Sequence, residues 1–252
     1  MDQFNESDLH ASVIHGRHTS GIRMWAMLSL MVFTVALLGD EARADRWGKR
    51  ERVRGSGKMA AETRELSGFT RISVNNSTDI DIKIGESFSV ELEAEDNLLE
   101  LIESEVVRDE LRITTDDDYN IRSHRGSRMT ITMPALAGLE IRGSSDIRAL
   151  GISSDFLSIE IRGSGDVELT GSAKEVEIEI KGSGDIDARD LQAKDADIEI
   201  RGSGDVRISV EERLRASIHG SGDITYYGDP ELKKKIRGSG DISKRAARKR
   251  GT

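Results

Sequence analysis

Carboxylates and basic side chains recur at a fixed spacing in the second half of this sequence. The pentapeptide Arg-Gly-Ser-Gly-Asp, or a close variant, occupies residues 142–146, 162–166, 181–185, 201–205, 219–223 and 237–241. Each copy begins with a basic residue and ends in an aspartate, and successive copies start 18 to 20 residues apart. Rows of carboxylate oxygens suit Ca²⁺, whereas rows of mixed charge are typical of a surface that binds a polyion.

The candidate binding residues are the charged members of these pentapeptides. They are Asp166, Asp185, Asp205, Asp223, Arg162, Lys181, Arg201 and Arg237. If the copies stack in register, the aspartates form one column and the basic residues form another, with about 4.8 Å between steps. Like charges at that spacing repel, so we expect the columns to neutralise each other, together with a third column of Glu160, Glu179 and Glu199. The basic column opposes cation binding, so we predict no metal site; calcium on the aspartates is the alternative.

Catalytic chemistry needs a convergent set of groups, and the sequence offers none. Only two histidines, His124 and His219, lie beyond the N-terminal 18 residues, and the absence of cysteine excludes a thiol nucleophile and Cys-based metal sites. The Gly-Ser-Gly turns lack the Lys-Ser/Thr ending of a phosphate-binding loop. We therefore predict a noncatalytic protein without a cofactor. A carbohydrate-active enzyme is the alternative, because some parallel β-helices are lyases or hydrolases.

The pentapeptides are separated by residues in which apolar and polar side chains alternate. Leu157, Ile159 and Ile161 precede the second copy, and Val167 and Leu169 follow it. Period-two alternation predicts half-buried strands. One repeat buries too few side chains to offset the conformational entropy of about twenty ordered residues, so the repeats must stack. The sequence predicts an all-β fold, a parallel β-helix with two sheets, and an antiparallel sandwich is the alternative.

The glycines of the pentapeptides are predicted to form the corners of this solenoid. They are Gly143, Gly163, Gly165, Gly182, Gly184, Gly202, Gly204, Gly220, Gly222, Gly238 and Gly240. We expect glycine here for two reasons: it adopts positive φ without strain, and it places no Cβ against the corner stacked on it.

The N-terminal half has a different organisation. Residues 1–44 resemble a secretory signal peptide, with an uncleaved membrane anchor as the alternative, and 45–54 resembles a linker. Residues 55–134 are predicted to form an N-terminal β lobe that contains one short helix. Leu98, Leu99, Ile102 and Val106 have helical spacing, and Asn97 with Glu100 matches a capping box.

The repeat region is predicted over 135–243 and a basic tail over 244–252. The net charge of −9 at pH 7 argues against nucleic acid as a partner. The tail is solvated or contacts an anionic membrane, and its lysines and arginines are expected to discourage end-to-end stacking of the solenoid.

Three stretches together resemble a known family. "ETRELSGFTRISV" (residues 62–74), "EAEDNLLELIESEV" (93–106) and the serial Gly-Ser-Gly-Asp corners are similar to the head GIN domain of putative autotransporter adhesins, and the resemblance covers about 55–243. It implies a right-handed parallel β-helix related to the pectin-lyase superfamily, with no recognised catalytic residues and an adhesive role. An autotransporter also has a membrane barrel, whereas in this chain we expect no segment after Ser243 to form one.

The sequence therefore predicts an exported adhesin-like or envelope-binding module, located in the periplasm, at the outer membrane or outside the cell. It would be released, held by the signal segment, or attached through a partner. Its ligand would be a protein or glycan of a cell surface or envelope. A periplasmic stress or scaffolding component is a further alternative, and homo-oligomerisation is left open.

Overall fold

Strands provide nearly all regular structure in the computed structural model of the protein, which describes residues 51–116 and 118–246. The predicted signal peptide, residues 45–50 of the predicted linker and residues 247–252 of the predicted tail lie outside the described residues. The described residues belong to one compact unit. Within them, no helix is long and apolar enough to cross a membrane.

Nine strands precede the repeats. They are β1 (Glu51–Arg54), β2 (Met59–Arg64), β3 (Arg71–Asn75), β4 (Asp79–Ile84), β5 (Ser89–Glu95), β6 (Ile102–Val107), β7 (Glu110–Thr115), β8 (Tyr119–Arg122) and β9 (Arg128–Met133). Eight strands form the repeats. They are β10 (Gly138–Ile141), β11 (Ile147–Ile161), β12 (Val167–Ile180), β13 (Ile186–Ile200), β14 (Val206–Gly220), β15 (Ile224–Tyr227), β16 (Glu231–Gly238) and β17 (Ile242–Arg245).

The repeats form a parallel solenoid, as predicted. Strands β10 to β17 pair only in parallel among themselves, so the antiparallel sandwich is wrong for this region. Each residue stacks on its equivalent one turn away; for example, Ile159 pairs with Ile178, and Ile178 pairs with Ile198. These inward columns are fully buried aliphatic side chains. The core is therefore a stack of equivalent layers, each stabilised by the layers next to it.

Within a turn, the two predicted strands are joined by a short middle segment. In β11, the alternation of buried and exposed residues breaks at Leu150–Gly151 and again at Asp155–Phe156, where two consecutive residues point outward. Ile152 is buried between these breaks. One long strand thus bends twice and covers three sides of the core before it reaches the next corner.

The solenoid extends further into the N-terminal lobe than predicted. Strands β3 and β4 form a turn beneath β10 and β11, and β7 and β9 form another turn beneath that one. The corner between β3 and β4 is Asn-Asn-Ser-Thr-Asp (residues 75–79), which stacks under residues 142–146. Strands β5 and β6 pair antiparallel with β9 and β7, and β2 pairs antiparallel with β5, so antiparallel strands close this end.

Two predictions for the N-terminal half need correction. The predicted short helix is a single 3-10 turn at Leu99–Leu101 without a side-chain cap, and the residues after it form β6. Asn97 does not cap it; its side chain accepts a hydrogen bond from Ser56 N (2.8 Å) and donates one to Arg54 O (2.9 Å). Residues 51–54, assigned to the linker, form β1, which pairs with β8.

The corner glycines are explained by contact between turns and not by backbone conformation. Of the predicted corner glycines, only Gly220 and Gly238 have positive φ, so the expectation of positive φ at the others is wrong. The close approach is confirmed: a Cβ on Gly163 would lie 2.0 Å from Gly143 O, and a Cβ on Gly182 would lie 2.1 Å from Gly163 O. Glycine is required because the backbone of each corner passes directly over the carbonyl of the corner below it.

Candidate functional site

The aspartate column is present, and each carboxylate is bonded to the next corner. Asp146 Oδ1 accepts a hydrogen bond from the backbone N–H of Asp166 at 3.0 Å, and Asp166 Oδ1 accepts one from Asp185 N at 2.9 Å. The same contact, at 2.8 Å, links Asp185 to Asp205 N and Asp205 to Asp223 N. An amide donor beside each carboxylate offsets the repulsion expected within the column. The aspartates are therefore parts of the corner.

The basic column pairs with the glutamates and not with the aspartates. Arg162 contacts Glu160 at 2.7 Å in its own turn, and Lys181 contacts both Glu179 (2.8 Å) and Glu160 (3.0 Å). Arg201 likewise contacts Glu179 at 3.1 Å and a glutamate of its own turn at 2.9 Å. Glutamates and cations therefore alternate in a continuous ion-pair ladder that bridges successive turns.

Contacts in the ladder favour the charged forms of Lys181 and Glu160. Hydrogen bonds to Glu179 and Glu160 raise the pKa of the Lys181 ammonium. Partial burial alone would raise the pKa of Glu160, but hydrogen bonds from Arg162 and Lys181 outweigh burial, and the pKa is lowered. Exposed pairs of this kind contribute little to stability, because water and salt screen them. The ladder consequently does more to neutralise the outer face than to stabilise the fold.

The ladder ends before the solenoid does. In the turn after Glu199 and Arg201, Ser217 occupies the glutamate column and His219 the basic column. In the final turn the same two positions are Lys235 and Arg237. The Nε2 atom of His219 is buried without a hydrogen-bond partner among the described residues. Of the predicted surface-binding residues, Arg162, Lys181 and Arg201 are thus in ion pairs, whereas Arg237 is in none within the described part of the chain.

A second mixed-charge column runs along the other side of the corners. Arg148 bridges Glu168 (2.8 Å) and Asp81 (3.7 Å), and Arg128 contacts Asp81 at 3.4 Å from the turn below. Asp187 is bonded to Arg189 in its own turn, which lowers the pKa of Asp187. This column is again neutralised from within.

The described residues hold no cluster of metal ligands. None of their histidine and acidic groups is arranged in threes or more to hold a metal ion. The side chain of Tyr226 lies inward over Ile208 and is 9% exposed, so it offers no aromatic surface on which a sugar ring could stack. The backbone N–H of His124 is bonded to Glu95, in the N-terminal lobe.

Glu95 is an important residue that sequence reasoning missed. Its carboxylate is fully buried and accepts hydrogen bonds from the Ser123 hydroxyl (2.7 Å), Gly57 N (2.6 Å) and His124 N (3.0 Å). The Ser123 hydroxyl is the largest of the influences that lower the pKa of Glu95. One buried carboxylate thus ties the loop before β2 to the loop before β9. The alternation of β5 hid it, because the period-two pattern places Glu95 on the outward side with Glu91 and Glu93, whereas the structure buries it directly after Ala94.

Comparisons with known proteins agree with this fold. The family model described as "Putative auto-transporter adhesin, head GIN domain" matches residues 68–230. The crystal structure of a putative adhesin from Bacteroides fragilis is 24% identical, covers 76% of this chain and 99% of its own, and has a TM-score of 0.66. A putative lipid binding protein from Parabacteroides distasonis is 25% identical over 77% of this chain and 99% of its own, with a TM-score of 0.50. No curated protein matches the chain.

Proposed function

Because the chain belongs to the head GIN domain family of putative auto-transporter adhesins, we propose that it is an exported, noncatalytic binding module of the cell envelope. The observation that carries the proposal is the surface of the repeats. Hydrogen-bonded corners and ion-pair ladders cover it with charged groups that recur from turn to turn, and no cluster of metal ligands is present within the described residues. Such a surface suits adhesion better than catalysis.

The proposed mechanism is multivalent contact by a rigid support. Each corner is bonded to the next through backbone and aspartate hydrogen bonds, for example Ser183 N to Gly163 O at 3.0 Å. Groups held in this way lose little conformational freedom on binding. Several weak contacts made together then give an affinity far above that of one contact.

The names of the similar structures support a surface-binding role. One is called a putative adhesin and another a putative lipid binding protein. The ligand classes to test are therefore envelope glycans, envelope proteins and lipid surfaces.

The test is binding of the purified full chain to intact cells and to isolated envelope fractions, at low and high salt. We expect saturable binding that weakens as salt screens the charges, and no turnover of envelope polysaccharides. Turnover that disappears when one carboxylate is substituted would overturn the proposal in favour of a carbohydrate-active enzyme. Capture of one envelope protein, without binding to cells or glycans, would favour a scaffolding component instead.

A further inference from the structure

Two cations of the solenoid's final turn, Lys235 and Arg237, are in no ion pair within the described residues, whereas Lys233 and Lys244 are paired with Glu231 and Asp229. The glutamate column runs through Glu140, Glu160, Glu179 and Glu199 and then changes to Ser217 and Lys235. Lys235 and Arg237 point outward beside each other on β16, and neither forms an ion pair within 51–116 and 118–246. The outer face of this side is therefore neutral along the repeats and positive at one end.

We infer that this final turn, β16 and β17, docks the module onto an anionic lipid surface, with Lys235 and Arg237 as the contacting residues. The inference rests on the proposed function, because it names one partner of the binding module. The partner's chemistry is a plane of phosphate groups. Lys and Arg near such a plane each strengthen binding by about fivefold.

The position of the final turn makes its cations accessible. Strand β16 pairs with β14 on one side and with no strand on the other among the described residues. Nearly all of its residues are exposed, including Ile236 at 37%. A flat surface can therefore approach this end of the solenoid without displacing another part of the described chain.

Lysines also occupy inward positions at this end. Lys234 continues the column of Ala216 and Ile198, and Lys244 continues the column of Ile208 and Tyr226. A second copy stacked on β16 would have to bury the Lys234 ammonium against an apolar layer, which is unfavourable. A charged, hydrated lipid headgroup layer imposes no such burial. The end is thus better suited to a membrane surface than to another copy of the chain.

The distribution of unpaired cations also favours binding to a planar anionic surface over binding to a long acidic polymer. A linear polyanion lying along the solenoid would need free cations in successive turns. In those turns Arg162, Lys181 and Arg201 are each already paired with glutamate. In this column the described cations outside ion pairs, Lys235 and Arg237, lie in a single turn, where a plane meets them together. In the sequence, Arg248, Lys249 and Arg250 follow soon after β17.

The test is co-sedimentation of the full chain with vesicles of phosphatidylcholine alone and of phosphatidylcholine mixed with phosphatidylglycerol. The double variant Lys235→Ser, Arg237→Ser is compared with Arg142→Ser, Arg162→Ser, which removes the same charge from paired positions. Circular dichroism first confirms that both variants are folded. We expect selective binding to the anionic vesicles, about 20-fold weaker for the final-turn variant and changed less than about threefold for the control. The residues after β17 are identical in all proteins, so they cannot produce the difference.

Equal losses in the two double variants, or equal binding to both vesicles, would overturn the inference. So would a final-turn variant that binds anionic vesicles normally but no longer binds a soluble acidic polysaccharide. The assay on cells and envelope fractions runs in parallel. Binding there without vesicle binding defeats only the lipid inference, whereas no binding in either assay defeats the proposed function as well.

Discussion

Replacement of Gly182 by alanine tests the contact between corners directly. The added Cβ would lie 2.1 Å from Gly163 O, whereas a real Cβ essentially never lies within 3.0 Å of a neighbouring heavy atom. Because the obstacle is backbone, the two turns must separate by about 1 Å. The hydrogen bonds from Lys181 N to Ile161 O (2.7 Å) and from Ser183 N to Gly163 O (3.0 Å) would then be lost.

The expected loss of stability follows from these contacts. Two backbone hydrogen bonds contribute about 1–3 kcal/mol together, and overpacking adds about 1–3 kcal/mol. We therefore expect Gly182→Ala to lower the free energy of unfolding by about 2–6 kcal/mol. The measurement is equilibrium urea denaturation followed by circular dichroism, with the slope m compared between proteins to confirm that the same surface unfolds.

Two control variants define the source of the effect. Ser183→Ala changes the exposed tip of the same corner and should stay within about 0.5 kcal/mol of the parent. Gly240→Ala introduces the same overlap in the final turn, where the Cβ would lie 2.0 Å from Gly222 O, but that turn can shift because no described strand covers it. Its loss should be smaller than that of Gly182→Ala. If Gly182→Ala is as stable as Ser183→Ala, the close approach of the corners does not explain the glycines.

Three further predictions concern single carboxylates and the open end. Asp185→Asn keeps the acceptor for Asp205 N and should be nearly neutral in urea denaturation, whereas Asp185→Ala should lose about 1 kcal/mol; equal losses would contradict the acceptor role. The pKa of Glu95 is lowered on folding from 4.5, so its charge stabilises the fold above about pH 4.5, and this stabilisation is lost as the pH falls through the lowered value. The difference in unfolding free energy between the parent and Glu95→Gln should therefore shrink in acid. A difference that stays constant with pH would refute the assignment. Lys234→Ile should produce end-to-end oligomers in size-exclusion chromatography with light scattering, while Lys233→Ile, on the outward side of the same strand, should not; two monomers would show that the inward lysine does not block stacking.

The fold of the repeats could be predicted because one physical requirement is repeated in the sequence. A corner that passes over the carbonyl below it needs glycine in every turn, so the glycines mark the period. The first corner lacks this mark, since residues 75–79 contain no glycine. At the second corner, Ser145 stands where later corners have glycine, and its buried hydroxyl donates to Asn76 O at 3.1 Å. The spacing from Val74 to Asp79 matches that from Ile141 to Asp146, which was the available signal for the extra turn.

The helix was mispredicted because the same apolar residues satisfy two periods. Ile102 and Val106 are four residues apart, a spacing that fits one face of a helix and also one face of a strand. Pairing with β7 decides between them: Val106 pairs with Leu111 and Ser104 pairs with Ile113. This tertiary contact, with a strand that follows directly after a tight turn, overrides the local pattern.

The role of the aspartates could not be predicted from the sequence, because it depends on the three-dimensional geometry of the corner. Spacing places Asp166 and Asp185 in one column, but only the corner geometry directs Asp166 Oδ1 toward the amide of Asp185. From the sequence we expected a neighbouring charge to offset the repulsion between aspartates of the column. In the structure a backbone N–H group offsets it instead. As a result the basic column is free to pair with glutamate, and the two sets of acidic residues have different tasks.

Stability and availability for binding are opposed along this solenoid. A turn inside the stack is held by neighbours on both sides, and the same neighbours supply the partners that neutralise its charges, as Glu160 does for Lys181. The final turn has one neighbour, so its cations have fewer carboxylates within reach, and Lys235 in place of glutamate removes another. The turn that contributes least to the fold is therefore the one whose charges are free to bind, which is why substitutions there should change binding while leaving the denaturation curve almost unchanged.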